Sequence, residues 1–174
     1  MSFDRRRLDE LLDTVLERLP GDWLLIGGAL VSLWLEPRRV TEDVDLIGLE
    51  GSQDERLRLM QFASDAGLPV EAVNTAADFF VRRFEDWRNE IEIFRENERT
   101  RIYRPSPTLF VLLKLHRLSE QDLEDCKLLL NAARAQGLHV DIERVKVGIE
   151  GLPECSDFEL RRRREEFWKL LNHP

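Results

Sequence analysis

Asp43 and Asp45 are the residues of this 174-residue chain most suited by type and spacing to do chemistry. Two residues two apart on an extended strand point to one face, about 7 Å apart along the chain. Carboxylates placed so, among apolar neighbours such as Val44 and Leu46, repel each other and lose hydration. A divalent cation relieves both costs. Mg²⁺ (or Mn²⁺) takes oxygen ligands and keeps waters that substrate phosphates can replace. Alone, an Asp-x-Asp pair also suits a solvated strand face. Gly27-Gly28 is the second feature, following the apolar run Trp23-Leu-Leu-Ile26. Glycines between a strand and a helix allow close backbone approach, and the free N–H groups of the helix start suit a phosphate. Alone, this too can be only a turn.

The two features gain weight jointly. Ile26-Gly-Gly-Ala-Leu30 is followed by Arg39-x-Thr41-x-Asp43-x-Asp45. Together they resemble the nucleotidyltransferase superfamily related to DNA polymerase β, marked by a glycine pair and then Asp-x-Asp or Asp-x-Glu. The Arg-x-Thr-x-Asp-x-Asp form is similar to the minimal AbiEii-type enzymes of bacterial toxin–antitoxin systems. Further on, Pro107-x-Leu109, Lys114-Leu-x-Arg117 and Asp122-Leu-Glu-Asp125 resemble the C-terminal helical segment of that family.

The resemblance implies roles for individual residues. Gly27 and Gly28 would contact the triphosphate of an NTP substrate, and Arg39 and Thr41 would shape the approach to it. Asp43 and Asp45 would bind Mg²⁺. Lys114 would neutralise phosphate charge, with Asp125 orienting the lysine or the nucleotide. The implied reaction is transfer of a nucleoside monophosphate to a macromolecular acceptor, tRNA or protein. The implied setting is the toxin of a pair with a cognate antitoxin.

The pattern departs from the family at the third carboxylate, which many members carry on a later strand. Glu92, in Glu90-Ile-Glu92-Ile-Phe94, is the first candidate to share the face of the aspartates and complete the metal and catalytic set; Glu90 is the second. Both also read as exposed glutamates on an edge strand. Without a third carboxylate, the same site suits a nucleotide-binding or interaction module with weak or no turnover. A third reading is a structural domain in which both motifs are coincidental.

The elements that must position these residues follow from periodicity and punctuation. Leu8, Leu11, Leu12, Val15, Leu16 and Leu19 recur at helical spacing after Asp4 and stop at Pro20-Gly21. A buried strand over 22–26 leads into the glycines, then a short helix over 29–34 ends before Pro37. Residues 40–49 predict a strand. Ser52-Gln-Asp-Glu55 is a capping box that opens a helix to about Ala66. Residues 78–84 and 90–96 predict a hairpin, with another short strand over 101–104. Ser106-Pro107 opens a helix through Leu118, Ser119 with Asp122 opens a second that ends at Gly137, and short helices follow from 140 and from Ser156-Asp-Phe-Glu159.

This order predicts an α+β fold: a nucleotidyltransferase-like mixed sheet flanked by helices over residues 1–104, and a C-terminal helical segment over 105–174 packed on it as one compact domain.

Composition narrows the function class. Hydrophobic residues make up 43%, enough for a core, and charged residues 34%. The net charge of −8 argues against sequence-independent binding to long nucleic acid. The one basic cluster is Arg82, Arg83, Arg88, Arg95, Arg99, Arg101 and Arg104 around the expected hairpin. Arg161 to Arg164 lie among Glu159, Glu165 and Glu166, which predicts a salt-bridged solvent face. Cys126 and Cys155 lack metal-ligand spacing. No apolar signal core or membrane-length stretch is present, so a cytoplasmic protein with no membrane association is the expectation.

Overall fold

A computed structural model describes residues 2–69, 72–74 and 78–172. The chain divides into two compact units, Met1–Pro105 and Ser106–Pro174.

In the first unit, α1 (Arg5–Arg18) starts where the Asp4 carboxylate accepts the Arg7 N–H at 2.9 Å. It buries Leu8, Leu11, Leu12 and Val15, the predicted stripe. β1 (Gly21–Ile26) runs directly into α2 (Gly27–Trp34), so both glycines lie inside the first helical turn rather than before it. β2 (Val44–Gly48) follows, then α3 (Gln53–Asp65), whose Ser52/Glu55 capping box forms as the sequence predicts. Next come β3 (Val73–Asn74), the short α4 (Asp78–Val81) and a 3-10 turn (Trp87–Glu90). β4 (Ile91–Glu96) and β5 (Thr100–Pro105) complete the unit.

The expected strand over 78–84 is therefore a correction. Asp78 and Arg82 are one helical turn apart and pair at 2.6 Å, and Asp78 also takes Arg56 of α3 at 3.3 Å. The apolar run Phe79-Phe-Val81 does not alternate as a half-buried strand would. The hairpin is instead β4–β5. Its turn is held by the Asn97 side-chain oxygen, which accepts the N–H groups of Arg99 and Thr100 at 2.9 and 2.8 Å.

The sheet has the order β3-β2-β1-β5-β4. β1 is antiparallel to β2 and parallel to β5, so the sheet is mixed as expected. Paired residues on neighbouring strands share a face, and the register assigns those faces. Asp45 pairs with Ile26, Ile47 with Leu24, Leu24 with Tyr103, and Tyr103 with Ile93; these lie on one side. Leu46, Leu25, Trp23, Ile102, Arg104 and Glu92 lie on the other. That second side carries α1 and α2. There the Thr100 hydroxyl donates to the Leu16 and Leu19 carbonyls at the end of α1, and Arg104 stacks on Trp34 of α2 at 4.0 Å.

The second unit contains α5 (Pro107–Leu115), α6 (Glu120–Gln136), α7 (Ile142–Glu150) and α8 (Phe158–Asn172). The start signals read in the sequence are used. Ser106 caps α5 with Pro107 in its first turn, Ser119 and Asp122 form a capping box, and Gly137 ends α6 in the left-handed conformation. At α8 the capping oxygen belongs to Asp157, which accepts the N–H groups of Glu159 and Leu160. α5 packs on α6 and α7, around buried Leu112, Leu115, Leu129 and Val145. Gly148 permits the α7 approach: a Cβ there would lie 2.8 Å from the Leu112 side chain.

Candidate active site

The glycine pair and the aspartates meet at the junction of β1, α2 and β2. Gly27 has φ +72°, a left-handed conformation that favours glycine. A Cβ at Gly27 would overlap the Asp45 carboxylate. Asp45 reaches that position because Ile26, its partner on β1, immediately precedes the helix. Val44 and Leu46, its neighbours in sequence, are 2% and 1% exposed, which fixes the strand and turns Asp45 to the opposite side.

Gly28 is approached from the segment between α2 and β2. A Cβ there would lie 2.7 Å from Thr41 Oγ1 and 3.8 Å from the Arg39 guanidinium. The Thr41 hydroxyl donates to the Asp43 carbonyl at 3.1 Å, and the Asp43 N–H reaches the same hydroxyl at 3.4 Å. Asp43 stands just before β2 and is exposed. Gly27, Gly28, Arg39, Thr41, Asp43 and Asp45 are thus gathered at one place within the first unit. Ile26, at the N-cap position of α2, makes no side-chain cap hydrogen bond. The N–H groups of a first helical turn suit a phosphate, and the Asp45 carboxylate lies beside this one.

Glu92 does not meet the expectation that it shares the aspartates' side. Glu92 pairs with Arg104 in register, on the side that carries α1 and α2, and two strands separate β4 from β2. The Glu92 carboxylate is 2.6 Å from the Arg104 guanidinium. Burial lowers the Arg104 pKa, and the Glu92 charge opposes that shift. Glu90 belongs to the 3-10 turn before β4. Among the described residues no group of three or more His, Cys, Asp or Glu side chains is arranged to hold a metal ion. The carboxylate seated at Gly27 is that of Asp45, and the donor set the sequence offers there is Asp45 with Asp43, two residues before it. That set fits Mg²⁺, which characteristically takes one or two protein carboxylates and fills its other positions with water and phosphate oxygens.

Lys114 and Asp125 belong to the second unit, in a buried ionic cluster. The Lys114 ammonium donates to Asp122 at 2.9 Å and to Asp125 at 2.8 Å. Arg117 donates to both oxygens of Asp122, at 2.7 and 2.9 Å. Asp122 also accepts the Ser119 N–H and hydroxyl, so the expected cap is equally an ion-pair partner. Both aspartate side chains are 1% exposed and Lys114 is 11% exposed. Burial lowers the pKa of Lys114, but the carboxylates of Asp122 and Asp125 outweigh it and hold the ammonium above its ordinary value. Burial raises that of Asp122, but hydrogen bonds from Arg117 and the charge of Lys114 hold it well below the usual carboxylate range. Nearby Cys126 is pushed up to about 12 by burial, so its thiol is inert. The share Asp122 takes in this cluster exceeds the capping role read from sequence; the Lys114-x-x-Arg117 and Asp122-x-x-Asp125 spacings are its signal.

The two arginine clusters are largely engaged with protein partners. Arg95 bonds Asp9 and Asp13, Arg101 grips Asp22 with two hydrogen bonds, and Arg82 and Arg88 donate to the Gly48 and Leu49 carbonyls. In the second unit Arg162 pairs with Glu120 and Glu159, and Arg163 donates to the Leu118 carbonyl. Among the described residues no helix is long and apolar enough to cross a membrane.

Residues 6–150 match a family described as nucleotidyltransferase of unknown function (DUF6036), and the chain belongs to that family. No curated protein matches it.

Proposed function

We propose that this family member transfers a nucleoside monophosphate from an NTP to a macromolecular acceptor, tRNA or protein, as the cytoplasmic toxin of a toxin–antitoxin pair of AbiEii-like type. The observation that carries the reading is the seating of the Asp45 carboxylate against Gly27, with Thr41 against Gly28, at the start of α2. The N–H groups of that turn would bind the phosphate chain. Asp43 and Asp45 would hold Mg²⁺, which would supply charge neutralisation on the reacting phosphate. Arg39 adds a cation beside Gly28. In the transfer, an acceptor oxygen bonds to the α-phosphorus as its bond to the pyrophosphate oxygen breaks. Positioning and electrostatics carry such a reaction.

Of the two acceptor classes, protein has the better support. The net charge is −8, and the hairpin arginines are bonded to carboxylates and carbonyls. A phosphate-binding role for Lys114 and Asp125 has less support, because each answers the other's charge inside the second unit. A second reading is a nucleotide-binding module with slow or no turnover. Two carboxylates rather than three, with Glu92 on the other side of the sheet, favour it.

The test is incubation with each α-labelled NTP, Mg²⁺ and cell extract. The transfer reading expects label on a protease-sensitive species, lost in the Asp43→Ala/Asp45→Ala protein; an RNase-sensitive species would make the acceptor RNA. Equal labelling by wild type and the double variant would overturn it. Nucleotide binding without any labelling would establish the module instead.

A further inference from the structure

The segment that carries Arg39, Thr41 and Asp43 lies outside regular structure, yet two residues distant in sequence tie down its backbone. Phe3 forms an antiparallel bridge with Thr41: the Phe3 N–H donates to the Thr41 carbonyl at 2.7 Å, and the Thr41 N–H donates to the Phe3 carbonyl at 3.0 Å. Its side chain is 3% exposed, although the residues on either side of it precede the first helix and are not buried. Ser32, fully buried in α2, donates its hydroxyl to the Arg39 carbonyl at 2.9 Å. The segment is thus anchored at Arg39 from the helix and at Thr41 from the N-terminal strap.

We infer that Phe3 and Ser32 are positioning residues for the nucleotide site, a claim that rests on the reading of that site given above. The chain of contacts is short. Phe3 fixes the Thr41 backbone, and the Thr41 hydroxyl holds the Asp43 backbone from both its N–H and its carbonyl. The same hydroxyl comes so near Gly28 that a Cβ there would be 2.7 Å away. Ser32 fixes the carbonyl of the residue whose guanidinium also approaches Gly28. The side chains of Phe3 and Ser32 act on the site through the segment that carries Arg39, Thr41 and Asp43. Loosening either one changes the distance between Asp43 and the helix start, and placement errors of about 1 Å can cost on the order of a hundredfold in a positioned site. A purely structural pair would change the melting temperature and leave nucleotide affinity alone.

The experiment uses the full chain as wild type, Phe3→Ala, Phe3→Leu and Ser32→Ala. Calorimetry measures the Kd for a non-hydrolysable NTP with Mg²⁺ at a temperature where every variant is folded, and melting temperatures are recorded in parallel. The expected result is a roughly tenfold weaker Kd for Phe3→Ala and Ser32→Ala, with Phe3→Leu within about twofold of wild type because an apolar side chain still anchors the strap. If Phe3→Ala does not fold, Ser32→Ala decides the matter. Wild-type affinity in folded Phe3→Ala and Ser32→Ala, or in Ser32→Ala alone where Phe3→Ala does not fold, whatever the melting temperatures, overturns the positioning role and leaves the nucleotide site standing. Wild-type protein with no measurable NTP affinity overturns the site itself, and the positioning role with it.

Discussion

Gly27 carries two constraints that no other residue type satisfies together: φ is +72°, and a Cβ would occupy the space of the Asp45 carboxylate. Gly27→Ala is therefore expected to lower stability by about 1–2 kcal/mol from the left-handed conformation alone. It is also expected to displace Asp45 and abolish Mg²⁺-dependent NTP binding. Urea unfolding and calorimetry measure the two effects separately; unchanged binding would show that Asp45 is not held by this contact. Glu92 gives the opposite expectation. Its carboxylate serves Arg104 on the side of the sheet that carries α1 and α2, so Glu92→Gln should leave any transfer rate within about twofold of wild type while disturbing Arg104. A large loss of transfer would return Glu92 to the catalytic set. The sequence made the Gly27, Gly28, Asp43 and Asp45 grouping legible because each pair is local and its spacing matches a strand or a strand-to-helix turn. Glu92 was not legible in the same way. Alternation within β4 separates Glu92 from Ile91 and Ile93, but which side meets Asp45 is set by pairing across β1 and β5, far away in sequence.

At the scale of elements, helix starts were read well because their signals are short and chemical. Asp4, Ser52, Ser106 and Ser119 each accept the backbone N–H their position predicts. α4 reads as a strand in the sequence because four residues carry little periodicity, and a contact that fixes it, Arg56 of α3 on Asp78, is long-range. In the second unit, the Lys114 cluster links α5 to α6 beside their apolar contacts, which makes stability sensitive to charge. Asp122 is held below the usual value of 3.8, so its contribution is complete above that pH and is lost as pH falls through the folded value. Lys114 is held above 10.5, so its contribution is complete below that pH and is lost as pH rises through its folded value. Thermal melts should be flat between these limits with respect to this cluster and fall in acid, and Asp122→Asn should shrink the acid fall. Lys114→Met removes the cation that two buried carboxylates share, while Asp122 keeps Arg117 and Ser119, and should cost about 3–5 kcal/mol by urea unfolding. A cost under about 1 kcal/mol would mean that the cluster is hydrated in solution.

The whole molecule joins an acidic α+β unit bearing the candidate site to a helical unit of its own core. Membership of a nucleotidyltransferase family spans residues 6–150 and so includes parts of both. Family membership makes nucleotide transfer the natural use of the site, whereas the acceptor depends on surface chemistry that differs among members of one fold. The net charge of −8 and the engaged arginines direct the search toward protein acceptors first. All of this depends on whether metal and nucleotide meet where Asp45 approaches Gly27. The most direct measurement is a crystal soaked with a non-hydrolysable NTP and Mn²⁺, read by anomalous scattering. The expected result is a Mn²⁺ peak bound by Asp45 and Asp43, with the triphosphate on the N–H groups of Gly27 and Gly28. Bound nucleotide and metal elsewhere, with the Asp45 carboxylate contacting neither, would contradict it.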